Sequence, residues 1–124
     1  MLWSFSEDRP IYTQIIEQIK HAVVSGELCA GDKMPPVRFL ASNAGVNPNT
    51  MQRALAELER TGLIYSQRTS GRFITENTDL IMELKAELAR DKVREFLHSM
   101  EQLGYTRSQT AELIKDYKEA EEHE

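Results

Sequence analysis

Residues 33–74 read KMPPVRFLASNAGVNPNTMQRALAELERTGLIYSQRTSGRFI. Leu40 and Ala41 with Ala44 make a short apolar face, and Met51, Leu55 and Leu58 recur at the spacing of a second, longer helix. Gly45 lies between the two. Asn47 is placed to cap the free amides of the second helix, and Pro48 suits its first position, where a missing N–H costs nothing. Gly62, after Thr61, closes that helix. The following LIYSQ and RFIT are rich in β-branched and aromatic residues, and the RTSG between them has turn chemistry. Helix, turn, helix and hairpin in this order predict a winged helix-turn-helix, a shape that lays one helix in a DNA groove.

With Met51, Leu55 and Leu58 turned inward, Asn49, Gln52, Arg53 and Ala56 share the opposite face at spacings of three and four. Amides suit adenine and a guanidinium suits guanine. An ordinary solvated face has similar composition, and Arg53 stands four residues before Glu57, as in a helix-surface ion pair. The hairpin tip adds Arg68, Thr69, Ser70, Gly71 and Arg72, whose cations, hydroxyls and permissive backbone suit phosphate contact. Charge favours the nucleic-acid reading: residues 33–75 hold six basic and two acidic side chains, whereas the whole chain carries a net −5. An acidic total conceals a basic island, and local charge decides attraction to phosphate.

Four blocks, PIYTQIIEQIKHAVVSGEL, GDKMPPVRFLA, GVNPNTMQRALAELERTGLI and SGRFIT, resemble the DNA-binding domain of the GntR family of bacterial transcription regulators, specifically its YtrA-type branch. The likeness runs from about Pro10 to Thr75. The acidic tail that follows is also similar to that branch, which lacks the large effector domain of other members. The resemblance implies that Arg38 holds a phosphate or guanine. It assigns Asn47, Asn49, Thr50, Gln52 and Arg53 to the recognition helix and Arg68 to Arg72 to the wing. It also implies transporter operons as targets, and repression is expected to follow from occupancy of a promoter. The chain departs from the family pattern in three places. Pro36 and Phe39 replace the Ser and Glu of a capping box, so Pro35-Pro36 is expected to set the helix start by restricting the backbone. Gln52 stands where many other branches have arginine, which implies a different base preference. Thr69 replaces a second wing glycine.

Ahead of this segment, Ile11, Ile15, Ile19 and Val23 repeat every four residues, with Ile16 widening the stripe, and predict a helix from about Pro10 to Ser25 that Gly26 ends. The opening MLWSFSED is too short and acidic for a signal peptide, and no apolar run approaches the roughly 20 residues of a membrane helix. A soluble, cytoplasmic chain is expected. Trp3 and Phe5 are candidates to tack the N-terminus onto the core or onto a partner subunit. The lone Cys29 cannot close an internal disulfide.

From Asp79 onward the composition turns acidic, with 7 basic and 12 acidic residues. Leu80, Leu84 and Leu88, then Val93, Phe96 or Leu97, Met100 and Leu103, mark a long helix stopped by Gly104. Thr106-Arg107-Ser108-Gln109 is a capping box for a final helix carrying Leu113, Ile114 and Tyr117, and EAEEHE is expected to fray. Two such helices have too little interior to hide both stripes. The expectation is therefore an antiparallel two-helix dimerisation tail over residues 78–124, built on Leu84, Leu88, Val93, Phe96, Leu97, Met100, Leu113, Ile114 and Tyr117. Packing against the chain's own winged domain, residues 1–77, is the alternative.

A homodimer places two recognition helices on successive major-groove faces about 34 Å apart, which predicts a pseudo-palindromic double-stranded operator. In that geometry Lys33, Arg38 and Arg72 are phosphate contacts, while Asn49, Gln52 and Arg53 read bases. A small-molecule effector would need a pocket between subunits or between tail and winged domain, since some 46 tail residues are few for an enclosed site of a few hundred Å³. No cofactor is expected. His21, His98 and His123 are scattered and no phosphate loop or metal-ligand spacing occurs, which argues against an enzyme or metal sensor. The competing class is a winged-helix protein-interaction adaptor that does not read DNA.

Overall fold

The computed structural model describes residues 1–122, with side chains through residue 117. In chain order the described elements are α1 (Ile11–Val24), α2 (Val37–Ala44), α3 (Pro48–Arg60), β1 (Ile64–Gln67), β2 (Gly71–Ile74), α4 (Thr78–Gln102) and α5 (Arg107–Glu122). This is the mainly helical fold with a small β wing that the residue pattern predicts. The chain divides into two compact units, Met1–Lys85 and Ala86–Glu124.

The first unit is built around α3, which packs chiefly on α1 and α2. Ile15 and Ile19 of α1 meet Met51, Leu55 and Leu58 of α3 in a core that also takes in Leu40, Ala41, Ile64 and Ile74. Ala54 is equally sealed from solvent. Its small side chain lets the α3 backbone lie close to its neighbours, and a search for large apolar residues passes over it. Pro36 precedes α2 with φ −59° and ψ 153° and without any side-chain cap bond, so backbone restriction alone starts this helix. Gly45 ends it at φ +70°, a conformation that L side chains resist. Asn47 then caps α3, its Oδ1 accepting from the Asn49 amide at 2.7 Å, with Pro48 in the first turn.

β1 and β2 pair antiparallel, with Ile64 opposite Ile74 and Gln67 opposite Gly71. Tyr65 and Phe73 stack across the pair, ring centroids 5.6 Å apart. The segment before α2 adds a third edge that the residue pattern does not announce. Lys33 bridges Phe73, the Met34 amide donates to the Arg72 carbonyl at 2.8 Å, and the Ile74 amide donates to the Asp32 carbonyl at 2.8 Å.

Trp3 and Phe5 pack on the chain's own core, one of the two places expected for them. Their alternation leaves Ser4 and Ser6 facing α1, where Gln18 and Gln14, four residues apart, bond those backbones as a strand would. The Gln18 amide donates to the Ser4 carbonyl at 2.7 Å and accepts from its N–H at 3.1 Å. Gln14 does the same at Ser6, at 2.9 and 2.8 Å, and its buried amide also reaches the Arg9 carbonyl.

Asn77 caps α4 through a bond from the Leu80 amide, and Ile81 and Leu84 pack on the winged core. The first unit therefore reaches Lys85, beyond the expected boundary at residue 77. Leu84, expected in a dimer contact, is half-buried against its own chain.

In the second unit Gly104, at φ +91°, turns the chain after α4. The expected capping box is formed reciprocally: Gln109 Oε1 accepts from the Thr106 amide at 2.9 Å, and Thr106 Oγ1 accepts from the Gln109 amide at 3.1 Å. Met100 and Thr110 are buried at this junction. Beyond it Leu103, Leu113, Ile114 and Tyr117 remain exposed. α5 continues through Glu122. Of the six-residue end expected to fray, positions 123 and 124, His123 among them, lie outside the described residues.

Candidate nucleic-acid interface

The exposed face of α3 carries Asn49, Gln52, Arg53 and Ala56. Capping rather than recognition occupies the Asn47 side-chain oxygen, and Thr50 is half-buried beside it. Arg53 does not pair with Glu57. Arg60 takes that carboxylate at 2.5 Å, and its hydrogen bond holds Glu57 below the usual carboxylate range. The Arg53 guanidinium instead lies over the ring of Tyr12 on α1, its carbon 3.7 Å from the centroid. Arg38, in the first turn of α2, is exposed.

Arg68, Thr69 and Ser70 form the exposed hairpin tip, closed by a bond from the Ser70 amide to the Gln67 carbonyl. Gly71 opens β2 at φ +103°. A Cβ there would lie 3.5 Å from Lys33 Cε, which puts the Lys33 ammonium stem at the root of the wing. Arg72 is not part of the free tip. Its Nε donates to Glu59 of α3 at 2.5 Å, and Ser66 Oγ donates to the same oxygen at 2.6 Å. Glu59 thus fastens the wing to the C-terminal end of the helix whose other end carries the amides. Sequence offers opposite charges thirteen residues apart and no rule that pairs them. The Tyr12–Arg53 contact is also absent from the pattern, although an aromatic ring beside the apolar stripe of α1 was visible.

The Ser66 hydroxyl holds the Glu59 carboxyl below its ordinary value of 4.5; burial opposes it, and Arg72 adds further lowering through its hydrogen bond and its charge. A depressed carboxylate contributes stability that is present above the unfolded pKa and lost as pH falls through the folded one. Acid is therefore expected to release Arg72 and loosen the wing at or below the ordinary carboxylate range. Glu59→Gln should flatten that acid-side loss of thermal stability between about pH 6 and about pH 3. Parallel stability profiles for the two proteins would count against the pair as a wing anchor.

On the second unit, Val93, Phe96, Leu103, Leu113, Ile114 and Tyr117 are exposed, between 43% and 73%. Leu88 and Leu97 are half-buried, and Met100 belongs to the junction. An open groove of about 610 Å³ runs along α4 over Val93 and Leu97, rimmed by Arg90, Arg94 and Arg107. Among the described residues, no helix is long and apolar enough to cross a membrane.

This arrangement has close counterparts. The family described as "Bacterial regulatory proteins, gntR family" matches residues 11–74. The HTH-type transcriptional regulator YhcF of Bacillus subtilis is 42% identical, over 93% of this chain and 95% of its own. The HTH-type transcriptional repressor YtrA of the same organism is 36% identical, over 86% and 83%. Among solved structures, a GntR family transcriptional regulator from Listeria monocytogenes superposes with a TM-score of 0.83 at 38% identity, covering 90% of this chain and 98% of that one. The AraR DNA-binding domain, solved in complex with its operator ORX1, matches 60% of this chain and 92% of its own at 29% identity and a TM-score of 0.52. With the profile spanning more than half of the chain and relatives matching through the tail as well, the chain belongs to the GntR family and is a winged-helix, DNA-binding transcription regulator.

Proposed function

We propose that the protein occupies a pseudo-palindromic operator as a homodimer and represses the promoter there, with Asn49, Gln52 and Arg53 reading bases in the major groove. The observation that carries this reading is the exposed amide and guanidinium face of α3, on a helix whose far end is fastened to a cationic wing. Arg38, Lys33 and Arg68 supply phosphate contacts, with Thr69, Ser70 and the Gly71 backbone beside them at the tip. The exposed apolar residues of α4 and α5 support a second copy as their cover. Likeness to the repressor YtrA supports repression. Such a protein works where bacterial DNA is, in the cytoplasm.

Gln52→Ala is expected to relax preference at one base position by about tenfold. Arg68→Ala should weaken binding to every duplex and lower the salt slope by about 1. Arg72→Ala is a less clean probe, because it also unties Glu59. Titrations of both variants on a selected duplex and on random duplex test the division of labour. Equal losses on both would reject it, and a wild type with no salt-dependent duplex affinity would favour the protein-docking adaptor.

A further inference from the structure

We infer that Tyr12 is a positioning residue for DNA reading: its ring holds the Arg53 guanidinium in a reading position on α3. The inference rests on the DNA-binding role proposed above for Arg53. Its structural basis is the placement of the guanidinium carbon 3.7 Å from the ring centroid, over the face of the ring. A cation over a tyrosine face is attracted by the ring quadrupole, and a guanidinium stacked in this way keeps its in-plane N–H donors available for a bidentate partner.

Two neighbouring features make the ring necessary. Arg53 has no ion pair among the described residues, so the stacking contact supplies the orientation that a carboxylate would otherwise give. Arg53 itself lines a cleft of about 410 Å³ between α1 and α3, together with Tyr12, Thr13, Ile16, Lys20 and Glu57 among others. With the ring removed, Arg53 gains room to swing down this cleft toward Glu57, which is four residues along the same helix and within reach at that spacing, where it would share the carboxylate with Arg60. The guanidinium would then lie along α3 in the cleft instead of standing over the ring beside a base edge. Tyr12 thus acts on specificity from a helix that need not touch the base itself.

The test compares wild type, Tyr12→Phe, Tyr12→Leu, Arg53→Ala and the double variant Tyr12→Leu/Arg53→Ala, all as full chains, on a duplex recovered by selection and on its single-base variants. Thermal unfolding confirms that each is folded. Tyr12→Leu is expected to lose about fivefold in base preference at the positions where Arg53→Ala does and nowhere else. Tyr12→Phe, which keeps the ring, should retain the preference, and the double variant should match Arg53→Ala alone. A loss spread evenly over all positions, an equal loss in Tyr12→Phe, or additive losses in the double variant would overturn the proposal. A wild type that discriminates, with Tyr12→Leu unchanged, would overturn it while leaving the DNA-reading role of α3 intact. A wild type without base preference would remove that role and this proposal together.

Discussion

Replacing Phe96 and Ile114 together with glutamate is expected to convert the protein to a monomer and to lower its affinity for a two-half-site operator by about 10²- to 10⁴-fold. Phe96 lies on α4 and Ile114 on α5, and they are 43% and 56% exposed in the single chain. Their replacement therefore costs the isolated chain little, whereas two carboxylates in an apolar contact between copies would be buried without partners. The loss on the operator follows from linkage of two reading heads. Once one half-site is bound, the second binds at the high effective concentration set by the dimer, and a monomer forfeits that advantage. Sedimentation equilibrium reads the mass and a duplex titration reads the affinity. A double variant that stays dimeric would place the subunit contact elsewhere, and a monomer with unchanged affinity would break the link between assembly and operator binding.

Leu55→Ala is expected to destabilise the winged domain by about 2 to 5 kcal/mol, because the side chain is wholly buried in a core that can close only partly over the space left behind. For a unit of this size the midpoint of thermal unfolding should fall by about 10 to 30 °C. Leu55→Met keeps most of the volume and should cost less than about 1.5 kcal/mol. Calorimetry on the three proteins checks the order. The functional consequence lies on the same helix. Leu55 is directed into the core while Gln52 and Ala56 remain on the exposed face, so a loosened α3 loses the fixed orientation on which base reading depends. Equal midpoints for wild type and Leu55→Ala would contradict the core described for α3.

Local chemistry was legible in the residues. Asn47-Pro48 announces the start of α3 and the structure puts the cap bond there; Thr106 and Gln109 announce α5 and bond reciprocally. These signals act within a few residues, where geometry follows from the chain itself. Partner choice across the fold was not legible. Periodicity marks one side of α4 as apolar without distinguishing Leu84, which packs on the winged core, from Val93 and Phe96, which stay exposed. Charge spacing along α3 suggests Arg53 with Glu57, yet Glu57 takes Arg60 and Arg53 takes a ring on α1. Lys33 finds Phe73 forty residues away, and Arg72 finds Glu59 across the turn between α3 and the hairpin. Such contacts exist only once three elements have packed, and no short window of sequence contains them. The exposed α3 face and the hairpin tip were legible because they depend on local spacing. The anchoring of Arg72 and Arg53, which separates free cations from held ones, depends on the tertiary arrangement.

In the proposed complex a symmetric pair of α3 helices reads duplex DNA. Selection of bound sequences from a pool of random duplexes by the full chain tests it most directly. The expected result is enrichment of an inverted repeat whose half-site centres lie about one helical turn apart, or a whole multiple of that distance. Recovery of unpaired single half-sites would contradict the dimeric reading, and a pool that stays random through successive rounds would contradict DNA reading by α3 altogether.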